Sequence, residues 1–314
     1  MRLFERLSDV PPGFGPSAVT IGKFDGVHAG HRAVIADLRA VAAERGLVST
    51  IVTFDRNPLA VLAPEKCPDA LISNSQKVEL LEAAGVDATL MLTFDREFSE
   101  QSPTKFVTDV LVNALSARVV FVGSDFRFGA KGAGNVDLLE RLGAEHNFEV
   151  RRIGEVTIGG TRRASSTWIR ELLESGDVVA AADLLERLPS IRSVVVHGEQ
   201  RGRELGYPTA NLSPDLEGLI PADGVYAAFA TVDGVSYPAA VSIGNNPTFE
   251  GVPQKQVEAH LLDQELDLYG KPIEVAFVDY VRTMQKFDSV DQLVTQMRLD
   301  EDRIRTILGL SQRF

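Results

Sequence analysis

The secondary-structure pattern of the sequence changes near Leu188-Pro189, and this change limits the folds open to the chain more than any other feature. Across residues 17–185, short apolar runs alternate with longer amphipathic ones, which predicts a parallel sheet covered by helices. Beyond that point, short β-type segments follow one another closely, with Gly and Asp at the turns, which predicts an antiparallel sheet or a small barrel. A length of 314 residues fits two domains. We therefore expect one domain over residues 1–186 and a second over residues 187–314.

The first part of the chain alternates predicted strands with predicted helices. Residues 31–45 space their apolar side chains at helical intervals and stop at Gly46, which is a natural helix end. Residues 77–84 and 103–115 predict two further helices that cross between strands. The predicted strands are residues 18–21, 48–54, 88–94 and 118–122. A parallel sheet of this kind binds ligands at the carboxyl ends of its strands.

The second part of the chain consists of short predicted strands followed by one helix. The strands are residues 194–196, 224–232, 236–243, 256–262 and 273–281. Residues 290–308 carry an amphipathic pattern that predicts a final helix, capped by Asp288 or Ser289. The predicted fold class is therefore α/β in the first domain, with an antiparallel β-barrel and a terminal helix in the second.

Charge and composition exclude several classes of function. A formal net charge of −12 speaks against broad binding to nucleic acid or to an anionic membrane, since both require a basic surface. Cys67 is the single cysteine, so a reducing compartment is the simplest interpretation, and no nucleophile motif around it supports a reactive thiol. No run reaches the roughly 18–20 apolar residues of a membrane span, and the first residues lack the pattern of a signal peptide. We expect a cytoplasmic protein that binds neither nucleic acid nor membrane.

The stretch from Gly22 to His31 carries the most specific pattern in the sequence. It leaves the first predicted strand and enters the first predicted helix, where backbone N–H groups and the helix dipole favour a bound phosphate. Gly22, Gly26 and Gly30 lack side chains, so the backbone can turn sharply and approach a nucleotide closely. His28 and His31 lie near the helix start and can donate hydrogen bonds to phosphate oxygens that gain charge. A metal-binding pair or plain capping residues are the alternatives for these histidines.

A second candidate site follows the change of pattern. A Gly- and Arg-rich loop leads into an extended segment in which Thr209 and Asn211 alternate with Ala210, which places both polar side chains on one face of a strand. A hydroxyl and an amide oxygen are hard ligands, suited to Mg²⁺ that phosphates also hold. The pattern Thr-x-Asn is weak by itself, and an exposed strand edge is the alternative interpretation.

These segments resemble the bacterial bifunctional riboflavin kinase/FAD synthetases. The stretch from Gly22 to His31 matches the family's nucleotidylyltransferase signature Gly-x-Phe-Asp-Gly-x-His-x-Gly-His, and residues 121–129 and 163–170 resemble two further motifs of that domain. Residues 198–211 resemble the riboflavin kinase signature, which ends in Pro-Thr-Ala-Asn. Similar segments follow in the family order at residues 224–226, 242–249, 257–263, 268–271 and 286–287.

The resemblance implies a Rossmann-like nucleotidylyltransferase domain followed by a riboflavin kinase barrel. The implied function is the phosphorylation of riboflavin to FMN by ATP, and then the adenylylation of FMN by ATP to FAD with release of pyrophosphate. ATP, riboflavin and FMN are the implied partners, Mg²⁺ accompanies ATP, and the flavins are substrates and products. The sequence does not determine whether the chain forms a homo-oligomer.

In the first domain, the resemblance implies catalytic roles for His28, His31 and Arg170. It implies that Asn57 and Asp125 bind FMN. The implied ATP-binding residues are Gly22, Phe24, Asp25, Gly26, Gly30, Arg163, Ser165, Ser166 and Thr167. The residues themselves fit this role, because the hydroxyl groups begin a predicted helix and the arginines supply the cations that a triphosphate needs.

In the second domain, the resemblance implies that Glu258 is the general base, which takes the proton from the ribityl 5′-hydroxyl as that oxygen attacks the γ-phosphate. A solvated strand residue or a partner of Lys255 is the alternative for this glutamate. Thr209 and Asn211 are the implied metal ligands, and we expect a structural role for His260 on the same strand face as Glu258. The implied ATP- and flavin-binding loop residues are Gly198, Arg203, Gly206, Tyr207 and Pro208.

Two positions depart from the family pattern. Asn57 stands where the family usually has a histidine in Phe-x-x-His-Pro, and Trp168 replaces what is often a smaller or basic residue. An asparagine cannot titrate near neutral pH, so one competing hypothesis is a riboflavin kinase or flavin-binding regulatory protein with a decayed adenylyltransferase site. Another is a nucleotidylyltransferase for nicotinamide mononucleotide or pantetheine phosphate, against which the complete kinase signature argues.

Overall fold

The fold was obtained as a computed structural model and consists of two compact units. The first is Met1–Ser165 and the second is Ser166–Phe314. The structure describes residues 1–154, 157–158, 162–198, 206–244 and 255–311. The division between the units precedes the expected domain boundary at residue 186 by two helices, and that boundary stays a prediction for the two activities.

The first unit is built on a parallel sheet. Its strands are β1 (Arg2–Phe4), β2 (Ser17–Ile21), β3 (Val48–Phe54), β4 (Ala88–Leu92), β5 (Ala117–Gly123) and β6 (Glu149–Ile153). They lie in the order β1-β4-β3-β2-β5-β6, and every neighbouring pair is parallel. Strands β2 and β4 are buried along their whole length, as expected of a sheet that helices cover on both faces. The predicted parallel sheet is confirmed.

The direction of winding reverses beside β2. Strands β3 and β4 follow on one side of β2, whereas β5 and β6 lie on its other side. The sheet therefore has a topological switch point between β2 and β5, where open α/β sheets bind their ligands outside the carboxyl ends of the strands. The loops that leave β2 and β5 are the ones that carry the predicted nucleotide motifs.

Helices cover this sheet. They are α1 (Ala29–Arg45), α2 (Leu59–Leu62), α3 (Asn74–Ala83), α4 (Arg96–Ser99), α5 (Pro103–Phe106) and α6 (Val136–His146). Helix α1 ends at Gly46, which is left-handed with φ of 64°, as its sequence predicts. The predicted helix over residues 103–115 instead turns from α5 into a π-helix over Val107–Ala114. That run is rich in β-branched residues, which crowd the tighter turn of an α-helix.

The second unit begins with two helices and continues as a closed barrel. A short hairpin of β7 (Thr157–Ile158) and β8 (Arg162–Arg163) precedes it in the chain. The remaining elements are α7 (Ser166–Ser175), α8 (Val178–Leu185), β9 (Ser190–Val196), β10 (Ala210–Leu212), β11 (Gly224–Val232), β12 (Val235–Gly244), β13 (Gln256–Leu261), β14 (Pro272–Arg282) and α9 (Val290–Ile307). The barrel order is β10-β13-β12-β11-β14-β9, and all its pairs are antiparallel. The predicted barrel and terminal helix are confirmed.

Helix α9 closes one side of the barrel through an apolar contact and an ionic one. Ile304 is fully buried against residues of β11 and β14. The next residue, Arg305, donates hydrogen bonds to Asp263 at 2.6 and 2.7 Å and to Glu301 at 2.9 Å. The terminal helix is therefore part of the core of the second unit. No helix within the part of the chain that the structure describes is long and apolar enough to cross a membrane.

We predict that Ile304→Ala lowers the free energy of unfolding of the barrel unit by about 2–5 kcal/mol, because it removes buried methyl groups and leaves a cavity. Leu299→Ala is the matched control, since Leu299 lies on the same helix with 57% of its surface exposed. Its effect should stay within about 0.5 kcal/mol. Equilibrium urea unfolding followed by circular dichroism measures both, and equal small effects would show that α9 does not pack as described.

Candidate active sites

The loop between β2 and α1 is fastened to the neighbouring strand β3. The backbone N–H of Gly22 donates to the carbonyl oxygen of Val52 at 3.1 Å, and the hydroxyl of Thr53 donates to the carbonyl oxygen of Lys23 at 3.0 Å. Within this loop Phe24 and Val27 have φ of 50° and 40°, a left-handed conformation that is strained for residues with side chains. Strained backbone held by surrounding structure is typical of functional loops.

The two predicted histidines meet at the start of α1. The rings of His28 and His31 stack with centroids 3.8 Å apart, and the ring of Phe24 lies 4.9 Å from that of His31. His28 occupies the N-cap position, but its ring makes no capping hydrogen bond. A Cβ atom added at Gly30 would lie 3.1 Å from Cε1 of His28, so glycine gives this ring the room it occupies. The paired imidazoles therefore stand at the positive end of a helix, where phosphate is favoured.

The loop after β5 leaves the sheet beside the histidine loop. Thr20 of β2 pairs with Phe121 of β5, so the two strands end next to each other at the switch point. In this loop Asp125 is exposed, and a Cβ atom at Gly123 would lie 2.9 Å from its Oδ1. The fold thus brings the predicted FMN-binding residue Asp125 to the same edge of the sheet as the predicted ATP-binding residues of the first loop.

An aromatic cleft, which sequence patterns did not predict, lies at this edge of the sheet. It is lined by residues that include Phe94, Phe98, Phe106, Gln101 and Gly129. The amide nitrogen of Gln101 donates to Asp109 at 3.4 Å, while its oxygen Oε1 is buried without a hydrogen-bond partner among the described residues. The cleft therefore combines flat apolar walls with one acceptor atom that lacks a donor.

The predicted residues Asn57 and Asp25 also have local structural partners. Oδ1 of Asn57 accepts a hydrogen bond from the backbone N–H of Leu59 at 3.1 Å, which holds the turn into α2. Oδ1 of Asp25 accepts from the backbone N–H of Leu71 at 2.9 Å, which ties the histidine loop to the chain ahead of α3. Both side chains stay partly exposed, so their roles toward FMN and ATP stay predictions.

The remaining predicted nucleotide residues surround the start of α7. This helix begins at Ser166, as predicted, and Arg170 lies buried in its first turns. Ser165 ends the first unit, and Thr167 follows on the helix. Arg163 belongs to β8, and its side chain lies outside the described residues. The assignment of Arg163, Ser165, Ser166 and Thr167 to ATP binding and of Arg170 to catalysis stays a prediction.

In the barrel, three predicted side chains converge on adjacent strands. Strand β10 pairs with β9 on one side and β13 on the other, and Asn211 is the register partner of Glu258. The hydroxyl of Thr209 donates to Oε2 of Glu258 at 3.2 Å. Lys255 instead pairs with Asp223 at 3.2 Å, so the alternative of an ion pair between Lys255 and Glu258 is not observed. A hydroxyl, an amide and a carboxylate thus occupy one patch of the barrel.

The neighbouring loop residues support this patch. A Cβ atom at Gly198 would lie 2.3 Å from the side-chain nitrogen of Asn211, so only glycine leaves room for that amide. Gly206 has a left-handed φ of 80°, and the ring of the buried Tyr207 lies 5.3 Å from the ring of His260. Nδ1 of His260 lies 2.8 Å from the carbonyl oxygen of Pro208, which fits the expected structural role. The predicted loop residue Arg203 lies outside the described residues.

The donor set of the patch fits Mg²⁺ held jointly with phosphates. Thr209 and Asn211 offer neutral oxygen ligands, and magnesium takes few protein oxygens when it also binds a nucleotide. The hydroxyl of Thr209 keeps lone pairs for a cation after it donates its hydrogen to Glu258. Within the described ranges, no group of three or more His, Cys, Asp or Glu side chains could hold a metal ion. A site built from protein carboxylates and imidazoles alone is therefore absent from that part of the chain.

Comparison with known proteins assigns a family to both units. A family model described as FAD synthetase matches residues 13–167, and one described as riboflavin kinase matches residues 185–308. The bifunctional riboflavin kinase/FMN adenylyltransferase of Escherichia coli (strain K12) is 38% identical over 295 residues, which cover 94% of this chain and 93% of that protein. The chain belongs to the bifunctional riboflavin kinase/FMN adenylyltransferase family.

Other members and one solved structure agree over nearly the full length. The family protein of Pseudomonas fluorescens is 35% identical over 311 residues, which cover 99% of each chain. A crystal structure described as a macrolide-efflux protein from Streptococcus pneumoniae has a TM-score of 0.85 and 31% identity, and the match covers 96% of this chain and 98% of that one. The riboflavin kinase/FMN adenylyltransferase resemblance drawn from the motifs is thereby confirmed.

We predict that Gly198→Ala slows riboflavin phosphorylation on the order of 10²-fold, since displacement of a positioning group by about 1 Å has effects of that size. FAD formation from supplied FMN serves as an internal control and should not change. If the added methyl group acts by displacing Asn211, it should have little further effect in an Asn211→Ala background. Additive effects of the two substitutions would contradict this explanation.

Proposed function

We propose that the chain makes FAD in two ATP-dependent steps, each at its own site. The barrel unit transfers the γ-phosphoryl group of ATP to the 5′-hydroxyl of riboflavin, which gives FMN and ADP. The N-terminal unit then joins the AMP part of a second ATP to the phosphate of FMN, which gives FAD and pyrophosphate. The hydrogen bond between Thr209 and Glu258, beside Asn211, is the observation that carries the first step.

In the kinase step, Glu258 accepts the proton of the riboflavin hydroxyl while the new P–O bond forms. Thr209 holds Oε2 of this carboxylate at 3.2 Å, which fixes the orientation of the base. Thr209 and Asn211 would hold Mg²⁺, which neutralises charge on the phosphates of ATP. Gly198, Gly206, Tyr207, Pro208 and Arg203 form the loop that would position ATP and flavin.

In the adenylyltransferase step, a phosphate oxygen of FMN attacks the α-phosphorus of ATP and pyrophosphate leaves. His28 and His31 donate hydrogen bonds to the phosphate oxygens as charge develops on them. The backbone N–H groups at the start of α1 support the same charge. By resemblance to the family, Arg163, Ser165, Ser166 and Thr167 would bind ATP and Arg170 would act in catalysis.

The flavin ring of FMN would occupy the aromatic cleft of the N-terminal unit. Phe94, Phe98 and Phe106 offer flat apolar surfaces of the kind that stack on a planar ring. Oε1 of Gln101, which is buried without a hydrogen-bond partner among the described residues, would accept from the imide N–H of the flavin. Asn57 and Asp125 lie on loops at the same sheet edge and would contact the polar part of FMN.

We assign both reactions to the cytoplasm. The single cysteine supports a reducing compartment, and the net charge of −12 opposes attachment to nucleic acid or an anionic membrane. A riboflavin kinase with a decayed adenylyltransferase site is the second candidate, and its motive is Asn57 at a position where the family usually has a histidine. Incubation with riboflavin, ATP and Mg²⁺ followed by separation of the flavins distinguishes the two, since only the proposed function yields FAD.

We predict that the two activities can be removed one at a time. Glu258→Gln should slow riboflavin phosphorylation by about 10²–10⁴, because it keeps the size of the side chain and removes the base. His28→Ala should slow FAD formation from FMN by about 10²–10³, because it removes a donor to the developing charge. Initial rates with separated flavins measure both activities in each variant. A folded variant that loses both activities equally would show that the sites are assigned wrongly.

We predict that Thr209→Ala raises the Mg²⁺ concentration needed for half-maximal kinase activity by about tenfold, since a ligand or its close support is lost. Thr209→Ser is the matched control, because it keeps the hydroxyl that contacts Glu258. The Mg²⁺ dependence of FAD formation from FMN should stay the same in both variants. An unchanged Mg²⁺ requirement in Thr209→Ala would remove this residue from the metal site.

A further inference from the structure

Lys77 is a buried cation at the sheet edge of the adenylyltransferase unit. Its residue is only 6% exposed, and its Nζ donates to the carbonyl oxygen of Phe54 at 2.9 Å and to Oδ1 of Asn74 at 3.4 Å. Burial lowers the pKa of Lys77, while the negative charges of Asp25 and Asp55 oppose this effect. A charged group in such a place requires partners, because an uncompensated buried charge is costly.

The partners of Lys77 connect the ends of two strands. Phe54 is the last residue of β3, and the side-chain nitrogen of Asn74 donates to the carbonyl oxygen of the following Asp55 at 2.7 Å. Oδ1 of Asp55 in turn accepts from the backbone N–H of Phe94, beyond the end of β4, at 2.9 Å. The first turn of α3 therefore fixes the chain where it leaves β3, two residues before Asn57.

The same segment reaches the histidine loop. Leu71, which lies just ahead of α3, donates its backbone N–H to Asp25, and Asp25 precedes His28 in the loop from β2. The start of α3 is itself fixed by a capping box between Ser73 and Gln76. Lys77 thus carries a charge that attracts Asp25, in the loop expected to bind ATP, and Asp55, in the segment expected to bind FMN.

Stability alone gives little reason for a lysine at this position. A buried ion pair often contributes no more to stability than a well-packed apolar side chain of similar volume. What a cation adds is attraction toward Asp25 and toward Asp55, which also pairs with Arg56 at 2.7 Å, and a hydrogen bond that sets the direction of the chain after β3.

We infer that Lys77 is a positioning residue of the adenylyltransferase, which keeps the segment after β3 that carries Asn57 in register with the histidine loop. It acts through Phe54 and Asn74, to which its Nζ donates, rather than on the reacting atoms. The inference rests on the proposed function and deepens it, because it names what sets the spacing between the FMN side and the ATP side of the site.

The test compares Lys77→Met, Lys77→Arg and Lys66→Met in the full-length chain. Lys77→Met keeps the length and apolar stem and removes the charge and the donor, whereas Lys77→Arg keeps both. Lys66→Met is the matched control, since Lys66 is an exposed lysine of the same unit. For each variant we would measure kcat and KM for FMN and for ATP in FAD formation, the rate of riboflavin phosphorylation, and the urea midpoint.

We expect Lys77→Met to lower kcat/KM for FMN on the order of 10–100-fold, with a rise in KM for FMN, because a misplaced binding segment weakens binding and alignment together. Riboflavin phosphorylation should not change, Lys77→Arg should recover most of the loss, and Lys66→Met should match the wild type. If Lys77→Met does not fold, Asn74→Ala keeps the charge of Lys77 but removes one of its two acceptors and the bond to the carbonyl oxygen of Asp55, and it should raise KM for FMN by a smaller factor.

Three results would overturn the inference. The first is wild-type kinetics in Lys77→Met, or in Asn74→Ala where that variant replaces it. The second is an equal loss in Lys77→Met and Lys77→Arg, since the positive charge would then be irrelevant. The third is a loss of both riboflavin phosphorylation and FAD formation in Lys77→Met, in proportion to a lowered urea midpoint. That result would mean that Lys77 is a purely structural residue. A wild-type chain that makes FMN and no FAD would instead overturn the proposed adenylyltransferase, and this inference with it.

Discussion

Both sites depend on a strand that is hydrogen-bonded on two sides. Strand β2 pairs with β3 and β5, and strand β10 pairs with β9 and β13. Backbone register fixes which residues lie side by side. A strand that pairs on both sides therefore brings three chain segments together by backbone hydrogen bonds, and side-chain contacts are not required for this. In the first unit this pairing collects three loops at one edge, and in the second it places Asn211 opposite Glu258.

The two sites differ in the structural features that cost the fold stability. The first holds Phe24 and Val27 in left-handed conformations and buries the charge of Lys77. The second requires glycine at position 198, because a side chain there would collide with Asn211, and is otherwise built on regular strands. Strain and buried charge suit a site that must hold a triphosphate at the end of a sheet, because each rigid contact lowers the freedom that binding would have to remove.

Periodicity predicted the two-part fold, the switch from a parallel sheet to a barrel, and the meeting of His28 with His31. It missed β1, which has only three residues. It also missed β6, because the charged residues Glu149, Arg151 and Arg152 leave this strand without an apolar pattern. It also missed the aromatic cleft and the contacts of Lys77. The cleft forms only where α4 and α5 pack against the loop after β5, and Lys77 meets the carbonyl oxygen of Phe54 across 23 residues. For the contacts of Lys77, the one available signal was a lysine on the inward face of α3.

The departure at Asn57 is compatible with catalysis because the two reactions need different help. Riboflavin offers a primary hydroxyl, which is a poor nucleophile until a base such as Glu258 accepts its proton. FMN offers a phosphate, whose second pKa is about 6 and which is therefore already ionised near neutral pH. Attack by that oxygen requires no general base, so the adenylyltransferase needs donors and alignment rather than a titrating group. An asparagine that shapes the turn into α2 and offers an amide toward FMN meets that need.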